Sequence, residues 1–232
     1  HRGHTFRTRS DTEVLVHLWE DEGPNMVRAL RGMFAFAIWD TQARTLFLAR
    51  DRMGEKPVYY GYNRGIFLFG SELKALQAHT HWDATIDRNV LVSYFRYNYV
   101  AAPHTIYQGI YKLEPGSYIT VTADDVAARR ELSPQLYWSL RSVIDNSIAQ
   151  HFAGTLQEAT DELDKLLRQA IAGQMISDVP LGAFLSGGID SSTVAALMQA
   201  VSSTPVRTFT IGFSEPGYNE AESARVVANH LG

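Results

Sequence analysis

The sequence predicts an α+β sheet domain followed by an α/β segment built on a parallel sheet. Three observations carry this. The first third alternates short apolar stretches with short turns, the grammar of antiparallel strands. The part after Thr155 runs helix, strand, Gly-rich turn, helix, strand, helix, an order that implies parallel strands. Between them, residues 123–154 mix Asp, Arg, Ser, Pro and Gln with few apolar repeats and read as a surface linker.

The elements follow in order. Ser10-Asp-Thr-Glu13 has capping-box spacing. It opens a helix with Val14, Leu15, Leu18 and Trp19 at helical period. Met33–Trp39, Thr45–Ala49, Val58–Tyr62 and Ile66–Phe69 read as strands of an antiparallel meander. Asp40 to Arg44 is a turn-like spacer, and Asn63-Arg-Gly65 is a hairpin turn. Several strands are apolar on both sides, which predicts a sheet covered on both faces. Ser71–Ala78 and Asp87–Asn98 read as helices, the second with Val90, Leu91, Tyr94 and Phe95 on one stripe. Tyr118–Thr122 is one more strand. Thr155-Leu-Gln-Glu158 is a second capping box, and Leu156, Leu163, Leu166, Leu167 and Ile171 of its helix face a core. Leu181–Leu185 and Val206–Ile211 are strands, and Ser191–Val201 and Glu220–His230 helices.

The chain has 232 residues, which at ~150 per domain predicts between one and two domains. Its 21 basic and 25 acidic side chains give a net charge of −4, which argues against nucleic-acid binding by bulk charge. It has no cysteine. Disulfides, thiolate metal sites and a cysteine nucleophile are therefore excluded within these residues. The longest apolar run, Met33 to Trp39, is far short of the ~20 residues of a spanning helix, and a cytoplasmic location is the default reading. The first residue is not Met, and the last two, Leu231-Gly232, follow directly on a helical pattern. Both ends are expected to be cuts.

The sharpest chemical feature is Phe184-Leu-Ser-Gly-Gly-Ile-Asp-Ser-Ser192. Two glycines let the chain turn tightly at the carboxyl end of a strand. Ser186, Ser191 and Ser192 add hydroxyls, and the following helix offers free N–H groups and its positive end, so together they form an anion cradle. Asp190 fits a phosphate site when a divalent cation such as Mg²⁺ lies between. The loop lacks the Walker A pattern.

These residues carry a resemblance. Ser186-Gly-Gly-Ile-Asp-Ser191 is similar to the pyrophosphate loop of N-type ATP pyrophosphatases. Ser177-Asp-Val-Pro-Leu-Gly-Ala-Phe-Leu185 and Thr208-Phe-Thr-Ile-Gly-Phe213 resemble the glutamine-hydrolysing asparagine synthetases. So do Ser10-Asp-Thr-Glu13, Arg31-Gly-Met-Phe-Ala-Phe36, Arg50-Asp-Arg-Met-Gly-Glu-Lys-Pro57 and Ser71-Glu-Leu-Lys-Ala-Leu76, which resemble the later half of that family's class II glutaminase domain.

The resemblance implies an internal fragment: a partial N-terminal-nucleophile-type glutaminase sheet over 1–138, a linker over 139–154, and a partial ATP pyrophosphatase domain over 155–232. It implies that glutamine supplies ammonia, and that ATP with Mg²⁺ activates a carboxylate, aspartate in the first instance, as an acyl-adenylate. The nucleophilic cysteine, a glutamine-binding Arg and an Asn-Gly oxyanion pair would precede His1. Residues that hold aspartate would follow Gly232. Asp11 matches the residue that binds the glutamine α-amino group. Ser186, Gly187, Gly188, Asp190, Ser191 and Ser192 match the pyrophosphate cradle, with Asp190 on Mg²⁺. Phe184 and Ile211 match strand-end positions whose backbone contacts adenosine. Asn219 and Glu220 stand where relatives often have Asp-Glu.

Other readings stand beside these. Asp11 read locally is a helix-start residue, Arg50, Asp51 and Arg52 a structural ion-pair loop. Glu72 and Lys74 are helix-surface or loop-anchoring charges, and His79 and His81 belong to a solvated loop. Tyr94 to Val100 interleaves aromatics with Arg96, and helical spacing favours packing against the sheet over RNA binding. Related chemistry could instead close a β-lactam ring or amidate a sugar or peptide carboxylate, and a non-catalytic binding module is the rival from another class. The partners read from the sequence are small molecules, without nucleic acid or membrane. A homodimer is left open.

Overall fold

The computed structural model describes residues 3–215, 217 and 219–232. It contains two separate units, His1–Ala149 and Gln150–Gly232.

The first helix, α1 (Asp11–Glu22), begins at Ser10, whose backbone is extended and whose hydroxyl accepts the Thr12 N–H at 3.2 Å. The expected capping box does not close. Thr8 Oγ1 already accepts the Ser10 N–H, so the Glu13 carboxylate turns to other donors. It accepts from the Thr8 hydroxyl at 2.5 Å and from the Arg7 and Thr8 N–H groups, both at 2.7 Å. These bonds, the Thr8 hydroxyl foremost, hold the Glu13 carboxyl below its usual range. Glu13 thus ties the preceding chain to the helix. A 3₁₀ turn over Gly23–Arg28 buries Met26 and Val27 completely.

The antiparallel strands form two sheets rather than one meander. β1 (Ala35–Asp40) pairs with β2 (Thr45–Arg50). Between them Asp40 Oδ1 accepts the Gln42 and Ala43 N–H groups at 2.9 and 2.8 Å, an Asx turn. β3 (Tyr59–Asn63) and β4 (Ile66–Gly70) form a hairpin. Its two central residues, Arg64 and Gly65, both have positive φ, as a type I′ turn requires. After α2 (Leu73–Gln77) and α3 (Arg88–Tyr97), β5 (Ile110–Lys112) joins β3, and β6 (Ser117–Thr122) joins β2. The sheet orders are therefore β1-β2-β6, extended by β7 (Gln135–Leu136), and β4-β3-β5. The break between β2 and β3 falls at the Arg50–Pro57 loop, which carries the chain from one sheet to the other.

The expectation of a sheet covered on both faces holds for β2. Leu48 packs with Val58, Tyr60, Leu113, Ile119 and Val121 between the two sheets. Phe47 and Ala49 point the other way, into a cluster with Met26, Val27 and Tyr137 that α1 covers with Leu15, Leu18 and Trp19. Phe47 is fully buried, with ring centroids of Trp19 and Tyr118 at 4.9 and 5.1 Å. Burial of a side chain this size is worth about 1.5–3 kcal/mol.

Two expectations in this unit need correction. The stretch read as linker from Ala123 is partly regular. α4 (Ala123–Ala128) opens on a capping box, with Thr122 and Asp125 bonded reciprocally, and α5 (Leu140–Ala149) occupies much of 139–154. Asp125 stands at N3 in place of the usual Glu or Gln, so the sequence carries no standard capping-box pattern here. The aromatic stripe on α3 does not pack on a sheet either: Val90 is buried, but Phe95 is 78% exposed and Tyr94, Tyr97 and Tyr99 are exposed.

In the second unit, α6 (Leu156–Gln174) opens on the predicted capping box of Thr155 and Glu158. β8 (Gly182–Phe184), α7 (Ile189–Val201) and β9 (Arg207–Phe209) then form a β-α-β unit, with β8 and β9 parallel and Phe184 opposite Phe209. α8 (Ala221–Leu231) follows, and Leu185, Ala195 and Ala224 form the core with Val227, Ala228 and Leu231. The apolar face of α6 is not the predicted core face. Leu156, Leu163 and Leu166 are exposed, while Leu167 and Ile171 are half-buried. The two-stranded sheet of the described residues has too little surface to cover the whole stripe.

Candidate functional site

Phe184 ends β8, and the next four residues turn the chain into α7, whose N-cap is Gly188. Leu185 buries its side chain while its N–H bonds Phe209 O at 2.9 Å. This continues the parallel ladder one residue beyond the strand. Thr210 Oγ1 donates to Leu185 O at 2.6 Å and locks the same point from the β9 side. The turn itself needs glycine. Gly187 has φ +83°, and a Cβ there would lie 2.7 Å from Ser223 Cβ and 3.0 Å from the Ala224 nitrogen. The loop and the first turn of α8 therefore touch backbone to backbone.

The hydroxyls of the loop hold its shape. Ser186 Oγ and Ser191 Oγ are 2.9 Å apart, Ser186 Oγ accepts the Gly188 N–H at 3.3 Å, and Ser191 Oγ accepts the Ser186 N–H at 3.2 Å. Ser192 Oγ is buried and has no hydrogen-bond partner. Such an orphaned hydroxyl in the first turn of a helix is the kind of group a bound phosphate oxygen satisfies. Asp190, exposed on the same turn, forms no hydrogen bond or ion pair among the described residues. Its carboxylate is therefore available to a cation. On these grounds the residues fit a polyphosphate with Mg²⁺.

Phe184 ends β8, and Ile211 follows β9. Phe184 is 78% exposed and Ile211 67% exposed, so neither is a buried core residue. Ile211 lies two residues beyond the end of β9. Asn219 Oδ1 accepts the Ala221 N–H at 3.2 Å and the Phe213 N–H at 3.4 Å, a loop-closing role at the start of α8. Thr210 and Ser223 support the loop and escape sequence reasoning, because only the fold brings them to Leu185 and Gly187.

In the first unit an open cleft of about 700 Å³ runs along β1. Asp11, Thr12, Leu15 and Val16 of α1 form one wall, Met33 to Trp39 the floor, and Lys56 and Glu72 stand at the other side. Asp11 is exposed. Its hydrogen bonds are long ones from its neighbours Ser10 and Thr12, at 3.5 and 3.4 Å. The capping of α1 belongs to Ser10, not to Asp11. Nothing in the spacing of Lys56 and Glu72 links them to Asp11, and only the fold brings them to this cleft.

The Arg50-Asp51-Arg52 segment is structural, but through carbonyl oxygens rather than ion pairs. Arg50 donates to Lys56 O, Leu113 O and Gly54 O at 2.8, 2.6 and 2.6 Å. Arg52 donates to Leu30 O and Arg28 O. Asp51 is 1% exposed and accepts the Glu55 and Lys56 N–H groups, both at 2.9 Å, and the Phe34 N–H at 3.3 Å. Burial lowers the Arg50 pKa, opposed by the Asp51 charge. Lys74 pairs with Glu72 at 2.7 Å, which raises the lysine's pKa. His79 and His81 are partly or fully exposed, with ring centroids 5.9 Å apart.

Residues 1–138 match the glutamine amidotransferase domain family, and residues 162–232 match the asparagine synthase family. Among similar proteins, "Asparagine synthetase [glutamine-hydrolyzing] 3" of Bacillus subtilis is 35% identical over 92% of this chain and 34% of its own length. The "Putative asparagine synthetase [glutamine-hydrolyzing] 2" of Methanocaldococcus jannaschii is 34% identical over 97% of this chain and 42% of its own. That of Mycobacterium tuberculosis, also described as putative, is 36% identical over 99% and 34%. The chain thus spans roughly 34% to 42% of the length of these relatives. A solved glutamine phosphoribosylpyrophosphate amidotransferase of B. subtilis aligns over 90% of this chain and 40% of its own, at 17% identity and TM-score 0.39, a likeness too slight to define the fold. No helix among the described residues is long and apolar enough to cross a membrane. Joining a glutamine amidotransferase domain to an asparagine synthase segment, the chain belongs to the glutamine-hydrolysing asparagine synthetase family.

Proposed function

We propose that the protein makes an amide at the expense of ATP, with glutamine as nitrogen donor and aspartate as acceptor. The products are asparagine, glutamate, AMP and pyrophosphate. The observation that carries this reading is the Ser186–Ser192 loop, with its Gly187 turn packed on α8 and the unpartnered Ser192 hydroxyl at the start of α7.

In this reading Ser186, Gly187, Gly188, Ser191 and Ser192 cradle the pyrophosphate portion of ATP. The loop N–H groups and the positive end of α7 stabilise the charge that the leaving pyrophosphate gains. Asp190 holds Mg²⁺, which screens phosphate charge when bound. Phe184 and Ile211 offer backbone groups to the adenosine. A bare carboxylate is a poor electrophile, so its conversion to an acyl-adenylate gives ammonia a good leaving group to displace. In the first unit Asp11 binds the glutamine α-ammonium as a charge-assisted pair. The nucleophilic cysteine of that half-reaction is not among these residues, which contain none. The first unit takes an N-terminal-nucleophile glutaminase fold, and the protein works in the cytoplasm on small molecules.

The test is ATP–pyrophosphate exchange dependent on aspartate, in the full-length protein, with and without Asp190→Ala. Exchange in the parent and a loss of at least tenfold in the variant are expected. Equal exchange in both removes the role of Asp190. No exchange in a folded parent removes the adenylation reading.

A further inference from the structure

We propose a divalent transition-metal site, of the class that takes Zn²⁺, formed by His4, His17 and Glu20 on the outer side of α1. One ligand atom from each of the three lies within 4.8 Å of the other two. Glu20 Oε2 is the focus: it sits 3.0 Å from His17 Nδ1 and 3.6 Å from His4 Nδ1. Ligands about 2.1 Å from a tetrahedral ion stand about 3.4 Å apart, which the two separations bracket. The imidazoles lie nearly parallel, with centroids 4.4 Å apart, and Phe6 closes one side edge-on to His17 at 4.9 Å.

Carboxylates also stand behind both rings. Asp21 Oδ1 lies 2.9 Å from His4 Nε2. His17 Nε2 is buried without a hydrogen bond, and the nearest carboxylate oxygen, Glu13 Oε1, is 3.9 Å away. An ion held by the two Nδ1 atoms leaves both Nε2 atoms facing these carboxylates. Carboxylates behind the far nitrogen of ligating histidines orient and strengthen the ligands. Imidazole with carboxylate suits Zn²⁺ and its neighbours better than Mg²⁺ or Ca²⁺.

The ligands come from two pieces of chain, His4 before the helix and His17 and Glu20 within it. The ion therefore clips the segment before Ser10 to α1, at the opposite end of that helix from Asp11. Glu13 reinforces the clip through Arg7 and Thr8.

The test is calorimetric titration of the complete chain with ZnCl₂. The visible absorption of Co²⁺ in the same site gives a second readout. One equivalent of Zn²⁺ is expected to bind, with the intense bands of four-coordinate cobalt. His17→Asn and Glu20→Gln, each checked for native circular dichroism, should weaken binding at least tenfold and abolish those bands. Asp21→Asn should weaken it about tenfold through His4. His79→Ala/His81→Ala should leave both readouts unchanged. The proposal is overturned if the parent binds no Zn²⁺. It is equally overturned if folded His17→Asn binds as the parent does, or if the His79/His81 variant is the one that loses the metal.

Discussion

The hydroxyl of Tyr137 donates a hydrogen bond to the Arg50 carbonyl oxygen at 2.9 Å, across 87 residues of sequence. It ties the residue after β7 to the loop that separates the first unit's two sheets. The same loop carries the Asp51 carboxylate on three backbone N–H groups. Arg52 lies over the Tyr137 ring, 5.9 Å from its centre. Together these contacts explain why three consecutive charged or polar side chains are spent on structure.

Burial raises the Tyr137 pKa to about 12, with Asp51 adding to the rise and Arg52 opposing it. Burial does the same to Tyr60. The folded state thus favours the neutral phenol. That contribution is complete below the unfolded value of about 10 and is lost as pH rises from there to about 12. Phenolate absorbance should show at least two tyrosines that ionise late, one fewer after Tyr137→Phe, and that variant should lose about 1 kcal/mol of stability. Simultaneous ionisation of all the tyrosines in the native protein would contradict this.

Asp51→Ala should destabilise the first unit by about 3 kcal/mol or more, because it strands buried donors at Phe34, Glu55 and Lys56. Asp51→Asn keeps one acceptor oxygen and should cost less. Urea unfolding monitored by tryptophan fluorescence measures both. A midpoint unchanged in the alanine variant would show that water replaces the carboxylate.

Gly187→Ala should destabilise the second unit by at least about 1 kcal/mol, from the positive φ alone. The clash with Ser223 adds to this and should displace the loop from α8. Gly173→Ala is the contrast: it lies within α6 with open space around its Cβ position and should stabilise the helix by up to about 1 kcal/mol. Paired thermal melts decide the matter, and equal shifts in the two variants would refute the steric argument.

On the proposed role of Asp11, Asp11→Asn should weaken glutamine binding to the full-length protein about tenfold or more, by removal of a charge-assisted bond to the ammonium. Its cost to α1 should stay below about 1 kcal/mol, since Ser10 supplies the cap. Equilibrium binding of glutamine alongside a melting curve separates the two roles. A large stability loss with unchanged affinity would return Asp11 to a purely local function.

The sequence by itself determined the local elements. The Arg64-Gly65 turn, the Thr155 capping box, the β-α-β order around the glycine loop and the residues of that loop were all legible. Each rests on forces between near neighbours: positive φ, reciprocal capping, apolar periodicity. Tertiary structure alone decided the rest. It split the expected meander into two sheets, because β2 buries both faces and needs a partner layer on each. It set Asp11 against a cleft whose other walls come from Met33–Trp39 and Glu72. It brought Ser223 against Gly187 and His4 against His17. Those contacts join residues that no period or cap relates. Only the packing of whole elements, driven by burial of their apolar faces, determines which distant side chains meet.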